Sequence, residues 1–354
     1  MDTKTALSPE EIASIEQTVR EMRREGRLDE ALELGITKLG EFNNENAITY
    51  NWIASSHSFS GRFLKANSFL RKKLRIYYKL IGHNHLDIAW TFEAIGENYR
   101  MAGNFDKARE YYTKAIALLQ KLYGPCHKYI AAVYDHMAES FVDEGNIEVA
   151  TQWFDNEISN LRSSEGNKGR DISDVLLRLT DLYIERKDQI AAKRYCDQGL
   201  KESKSPLKMA RFYQRLGMIA RESGDHNTAL RQFKRELTCY KNAYMPFEPD
   251  LGRAYLSVGS ELNALGEYDK AKVNLQKGLK MYQHLLELRV NNPDADPDVV
   301  GETFDYVGLF LIELDDIKGG IDHFKKAIQY YGPRSKKAAY LRQYIKDIKK
   351  AVSK

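Results

Sequence analysis

The sequence predicts an all-α solenoid of about eight helical hairpins with a C-terminal capping helix. Three observations predict it. Small residues recur at one phase, as Ala31, Ala66, Ala108, Ala150, Ala192, Ala229, Ala271 and Gly320. Four of the seven steps between them are 42 residues, and the others are 35, 37 and 49. Five residues before these positions stand Gly26, Gly61, Gly103, Gly145, Gly224 and Gly266, with Lys187 and Asp315 as the two exceptions. Finally, Pro9, Pro125, Pro206, Pro246, Pro249, Pro293, Pro297 and Pro333 all fall outside the repeated motifs. Proline lacks an N–H and clashes in a helix interior, so this distribution supports the phase. A unit repeated at such a period stacks into a solenoid, in which each copy packs on its neighbours.

The elements follow in order. Residues 1–45 form a degenerate first hairpin, marked by Ile15, Met22, Gly26 and Ala31. Residues 46–332 form the array of about seven repeats. Its first copy carries Tyr50, Ile53, Ala54, Ala66 and Leu70. The next is the clearest. Phe92, Ile95, Gly96 and Tyr99 share one helical face. Gly103 and Asn104 end that helix because both tolerate left-handed backbone. A second helix is expected near Asp106, with Ala108, Tyr111, Tyr112, Ala115, Leu118 and Leu119 as its apolar face. Gly96 and Ala108 are small so that two helices can approach closely. Tyr134, Met137, Ala138, Phe141, Ala150 and Phe154 repeat the pattern, and Leu176, Leu179, Tyr183 and Ala192 give a degenerate copy. Three more copies are Tyr213–Leu216–Gly217–Ala229–Phe233, Tyr255–Val258–Gly259–Leu262–Ala271–Leu275 and Phe304–Val307–Gly308–Leu311–Phe324. The extra residues of the 49-residue step are placed in the acidic loop 291–298. Residues 333–354 read as an amphipathic cap through Ala338, Leu341, Ile345, Ile348 and Val352. Its basic face, including Lys336, Lys337, Arg342, Lys346, Lys349 and Lys350, is read as solvated.

A large residue, then Leu-Gly, then Tyr, then Ala-x3-Phe is the pattern of the tetratricopeptide repeat, and the chain resembles that family over nearly its whole length. The 42-residue step exceeds the usual 34 by about one turn per helix. In this it resembles the repeats of kinesin light chains and nephrocystin-like proteins. The linkers Lys79-Leu80-Ile81-Gly82 before His85 and Lys121-Leu122-Tyr123-Gly124 before His127 fit that resemblance. Leu86 and Lys128 stand where that family has proline, and Glu93-Ala94 and Asp135-His136 where it has paired asparagines. The resemblance implies a superhelical fold and peptide binding; the transport role is not carried over. It also places specific residues on the first helices, which line the family's concave groove. The partner-binding candidates are Asn51, Glu93, Glu97, Asp135, Glu139 and Asp181 in the early repeats, and Arg211, Arg215, Arg221, Arg253 and Asn263 in the later ones. The first group is mostly acidic and the second mostly basic, so a ligand with a basic and an acidic end is expected.

Other function classes find little support. Net charge is +4 with an isoelectric point near 8.6, without the concentrated basic face that nucleic acid demands. The uncharged run Tyr306–Ile312 is too short to span a bilayer. No secretory signal opens the chain, and Cys126, Cys196 and Cys239 neither pair fully nor form CxxC, so a reducing, cytoplasmic setting is expected. His83 and His85 lack a third ligand nearby, and His85 has the repeat equivalent His127, so both are read as linker structure and no metal is expected. Asn51 and Ser55 stand where some family members place a lysine–asparagine pair for C-terminal carboxylates, and the lysine is absent. No phosphate loop, GxSxG or HExxH occurs, so neither enzyme activity nor a cofactor is expected. The expected function is a non-catalytic interaction scaffold for an extended partner segment. The alternatives are a sensor that changes pitch on binding a short peptide, and a cargo adaptor of kinesin-light-chain type.

Overall fold

The computed structural model describes residues 7–163, 171–243 and 248–352. Seventeen helices occur among them, arranged as eight hairpins and a final helix. The hairpins are α1 (Pro9–Arg24) with α2 (Leu28–Leu39), α3 (Asn44–Phe59) with α4 (Phe63–Ile81), α5 (Leu86–Met101) with α6 (Phe105–Tyr123), and α7 (Lys128–Glu144) with α8 (Ile147–Ser163). Then come α9 (Ile172–Glu185) with α10 (Gln189–Glu202), α11 (Pro206–Glu222) with α12 (His226–Ala243), α13 (Pro249–Ala264) with α14 (Tyr268–Val290), and α15 (Pro297–Glu313) with α16 (Ile317–Tyr331). The last helix is α17 (Lys336–Val352). The chain forms two compact units, Met1–Val175 (unit 1) and Leu176–Lys354 (unit 2).

Each hairpin turns in the same way. In the α5–α6 turn, Gly103 has φ +74°, its N–H donates to the Arg100 carbonyl, and the Asn104 N–H reaches back five residues to the Tyr99 carbonyl at 2.8 Å. That is a left-handed C-terminal cap, which satisfies carbonyls the helix end would leave orphaned. The same five-residue bond closes the other turns, from Arg27 to Met22 through Asp316 to Leu311. At the two turns without glycine, Lys187 (φ +61°) and Asp315 (φ +68°) adopt the left-handed conformation themselves. The residue after this position also starts the second helix. Asn104, not Asp106, is the N-cap of α6, its Oδ1 accepting from the Lys107 N–H at 3.2 Å. Asp188, Asp225 and Asp316 act likewise.

The small residues serve close approach. A Cβ on Gly96 would lie 2.6 Å from the Tyr112 ring and 3.1 Å from the Ala108 carbonyl, and Gly217 faces Phe233 in the same way at 2.4 Å. All seven repeat alanines are fully buried. Pro9, Pro206, Pro249 and Pro297 open α1, α11, α13 and α15, where an orphaned N–H is absent anyway. Pro246 lies outside the described residues. His85 and His127 cap α5 and α7 through Nδ1, which accepts from the Asp87 and Tyr129 N–H groups at 3.2 and 3.3 Å. The extra residues of the longest step, expected in 291–298, are shared between a loop of 291–296 and α14, which runs to 23 residues; Pro297 and Asp298 already belong to α15. The cap α17 buries Ala338, Leu341 and Ile345 as expected, but Val352 is 64% exposed at the end of the helix.

Candidate functional site

The first helices of unit 1 carry the acidic candidates. Glu93 and Glu97 lie one turn apart on α5, and Asp135 and Glu139 occupy the same two positions on α7, 42 residues later. One guanidinium ties these helices together. Arg100 of α5 lies 2.7 Å from Glu97 and 3.5 Å from Glu139, and also pairs with Asp143. Burial alone would raise the Glu97 carboxyl, but the Arg100 hydrogen bonds and charge hold it below its ordinary value. Glu97 also accepts from the Tyr112 hydroxyl at 3.0 Å. Glu93 stands 3.1 Å from the Nδ1 of His136. Burial would lower the His136 imidazole, yet the Glu93 carboxylate outweighs it and raises the ring above its usual value. Asp135 is 4% exposed, so it contributes charge from beneath the surface and not a contact. Glu93, Glu97, Glu139 and Asp143 thus face Arg100 and His136, which leaves an acidic excess.

Beside this strip a cleft of about 370 Å³ opens between α3 and α5. Asn51, Ser55, Phe59, Glu97 and Met101 line it, with Phe59 94% exposed at its lip. A polar ladder fixes its wall: the Ser58 hydroxyl donates to Asn98 Oδ1 at 2.6 Å, and Asn98 Nδ2 to Asn67 Oδ1 at 2.9 Å. Asn51 is held by Lys73, whose Nζ donates to its Oδ1 at 3.0 Å. Burial pushes the Lys73 ammonium below its usual value.

Unit 2 holds the basic candidates, and most are already paired. Arg215 forks onto both oxygens of Asp181 at 2.9 and 3.0 Å. Arg221 binds Glu261, a carboxylate 2% exposed that also meets His226 Nδ1 at 2.8 Å. Arg253 pairs with Asp250. Asn263 donates to the Glu313 carbonyl and carboxylate at 2.8 and 2.9 Å. Arg211 is exposed, and its side chain makes no hydrogen bond or ion pair among the described residues. The basic half read from the sequence therefore omits Glu261 and Asp250, which neutralise Arg221 and Arg253 locally. Arg100 and His136 were missed in unit 1. The spacing of Arg100, three residues after Glu97, was a readable signal; Glu261 offered none, because its burial depends on tertiary packing.

Residues 45–121 and 208–284 match the family profile of the tetratricopeptide repeat. Those two segments are tetratricopeptide repeats. Among solved structures, it is similar to a signal-transduction ATPase with numerous domains and a tetratricopeptide repeat sensor from Pyrococcus horikoshii, at 15% identity and TM-score 0.55, covering 95% of this chain and 48% of that one. It is also similar to the C-terminal part of a repeat-containing protein from Cytophaga hutchinsonii, at 12% identity and TM-score 0.48, covering 82% and 98%. A third similarity is to the kinesin light chain-like repeats from Podosopora anserina, at 12% identity and TM-score 0.37, covering 66% and 93%. No curated protein sequence matches the chain significantly. No described helix is long and apolar enough to cross a membrane.

Proposed function

We propose that the chain is a non-catalytic interaction scaffold that holds an extended segment of a partner protein along its first helices. The observation that carries this reading is the first-helix face of unit 1: an acidic strip held rigid by Arg100 beside a cleft with an exposed aromatic lip. Rigid helices preorganise the surface, so little ordering cost falls on the scaffold. The cleft takes an apolar side chain, and the carboxylates around it select a segment with basic residues and set its direction. Within unit 2, the exposed Arg211 on α11 is by itself a contact for an acidic residue of a partner.

The test is capture of native partners by wild type, by Glu139→Lys and by Arg211→Glu, with folding checked by circular dichroism. A partner lost with either variant and kept by a Lys121→Glu control supports the reading. Identical partner sets from all four proteins would remove it. Small-angle scattering on adding the captured segment separates a sensor, which compacts, from a static scaffold, which does not.

A further inference from the structure

A cleft larger than the one beside the acidic strip opens elsewhere. It lies within unit 2, between the second helices α10 and α12, and has a volume of about 1100 Å³. Its floor is the outer side of α11: Leu216, Ile219 and Ala220, each at most 9% exposed. One wall is a full face of α10, from Gln189 to Lys201. At 1.5 Å per residue that wall is about 18 Å long, the length of a three-turn helix.

Two independent features point to an occupant. The first is Ile190, which is 86% exposed at one end of the cleft. It stands two residues before the repeat alanine, in the first turn of α10. The same position holds Asp29, Asp106, Glu148 and Asp269 in four other repeats and Asn227 and Lys318 in two more; only Leu64, 67% exposed, is also apolar there, and Ile190 is the more exposed of the two. An acid there is favoured by the helix dipole, and an exposed isoleucine forgoes that stabilisation and adds apolar surface to water. The second is charge. Lys193, Arg194, Lys201 and Arg231 line the cleft, and none of the four pairs with a carboxylate among the described residues. Three arginines of the first helices, Arg215, Arg221 and Arg253, are paired instead, whereas Arg211 is not. Arg194 is instead steadied on the Tyr195 ring, 4.7 Å from its centroid, and Arg231 on the Thr228 hydroxyl at 2.9 Å. Asp197 and Asp225 also line the cleft, and Asp225, which caps α12, feels the Arg231 charge, so four cations stand against two carboxylates and the lining keeps a basic excess.

We propose that the α10–α12 cleft is a second docking surface, which takes an acidic amphipathic helix of a partner protein. The apolar stripe of that helix would rest on Leu216 and Ile219 with one residue against Ile190, and its flanking carboxylates would meet Lys193, Arg194 and Arg231. This is helix-in-groove recognition, read by anchors three and four residues apart. It is separate from the first-helix site, so the two can fail independently.

The probe is a 14-residue fluorescein-labelled helical peptide with leucines at i, i+3, i+7 and i+10 and glutamates on both flanks. A counterpart carries lysines in place of the glutamates. Both are titrated by fluorescence anisotropy against the full chain, against Ile190→Asp, against Lys193→Glu/Arg194→Glu and against Lys121→Glu. All substituted side chains are exposed, so the fold is retained. The expected result is saturable binding of the acidic peptide, at least tenfold weaker with Ile190→Asp and with the double variant and unchanged with Lys121→Glu, while any binding of the lysine peptide is not weakened by Ile190→Asp or the double variant. Equal binding of the acidic peptide to every variant, or no binding of it, would each overturn the proposal. So would preferential binding of a single-stranded oligonucleotide, or a concentration-dependent mass that disappears with Ile190→Asp, which would assign the cleft to nucleic acid or to a second copy.

Discussion

Replacing Lys187 by glycine should stabilise unit 2. At six hairpin turns the residue in the left-handed conformation is glycine, with φ between +70° and +86°, and at two it is Lys187 (φ +61°) or Asp315 (φ +68°). An L-residue with a Cβ gives up about 1–2 kcal/mol in that conformation. Glycine removes the strain but loses about 0.5–1 kcal/mol more backbone entropy on folding. The difference is a gain of about 0.5–1 kcal/mol for Lys187→Gly. Asp315→Gly should gain less, because aspartate tolerates this region better than lysine. Neither side chain makes a hydrogen bond or ion pair among the described residues, so no contact is lost. Gly103→Ala is the converse. An added Cβ there meets nothing within 4 Å, so any cost is purely conformational, again about 0.5–1 kcal/mol. The assay is thermal unfolding at 222 nm. For a unit of this size 1 kcal/mol moves Tm by about 2–4 °C. Opposite shifts for Lys187→Gly and Gly103→Ala are the expected result. A loss of stability in Lys187→Gly, or no change in both, would refute the idea that turn conformation limits these positions.

Three further outcomes follow from the same packing. Asn104→Ala should cost about 1 kcal/mol by removing the cap of α6, while Arg62→Asp should gain a few tenths to 1 kcal/mol, because α4 has no side-chain cap; urea midpoints measure both. Gly217→Ala should cost about 1–3 kcal/mol, since its Cβ would overlap the Phe233 ring, and Gly217→Ala with Phe233→Leu should recover part of that loss in the same urea titration. Glu236 is fully buried without a hydrogen bond to its carboxyl oxygens, and burial pushes its carboxyl up to about 8. Because the folded state holds this proton more tightly than the unfolded chain, the cost is absent below about pH 4.5, grows as pH rises, and levels off above about pH 8. It reaches about 3 kcal/mol at pH 7. Glu236→Gln should therefore flatten the fall in Tm between pH 5 and 8, and an unchanged slope would remove Glu236 as its source.

The fold was legible because its rules are local and repeat. Ala108, Gly96 and Gly103 each report one geometric need, and the same need recurs every 42 residues. Even the exceptions were informative, since Lys187 and Asp315 take the glycine conformation. The helix expected near Asp106 begins one residue earlier, at Phe105, because Asn104 both ends one helix and caps the next. The candidate site was less legible. Phase on the first helices located Glu93, Glu97 and Glu139, but the pairing of Arg221 with Glu261 joins residues 40 apart in sequence and depends on how neighbouring repeats stack. Asp135 shows the same limit, for its position on α7 was readable and its burial was not.

The most direct measurement of the central claim is site-specific photo-crosslinking. Benzoylphenylalanine is placed at Ser55, beside the exposed lip on the first-helix face, and in a second protein at Lys121, exposed on the second helix α6. The account predicts that irradiation joins one partner segment to the Ser55 position and none to the Lys121 position. Crosslinking at Lys121 with none at Ser55 would contradict it.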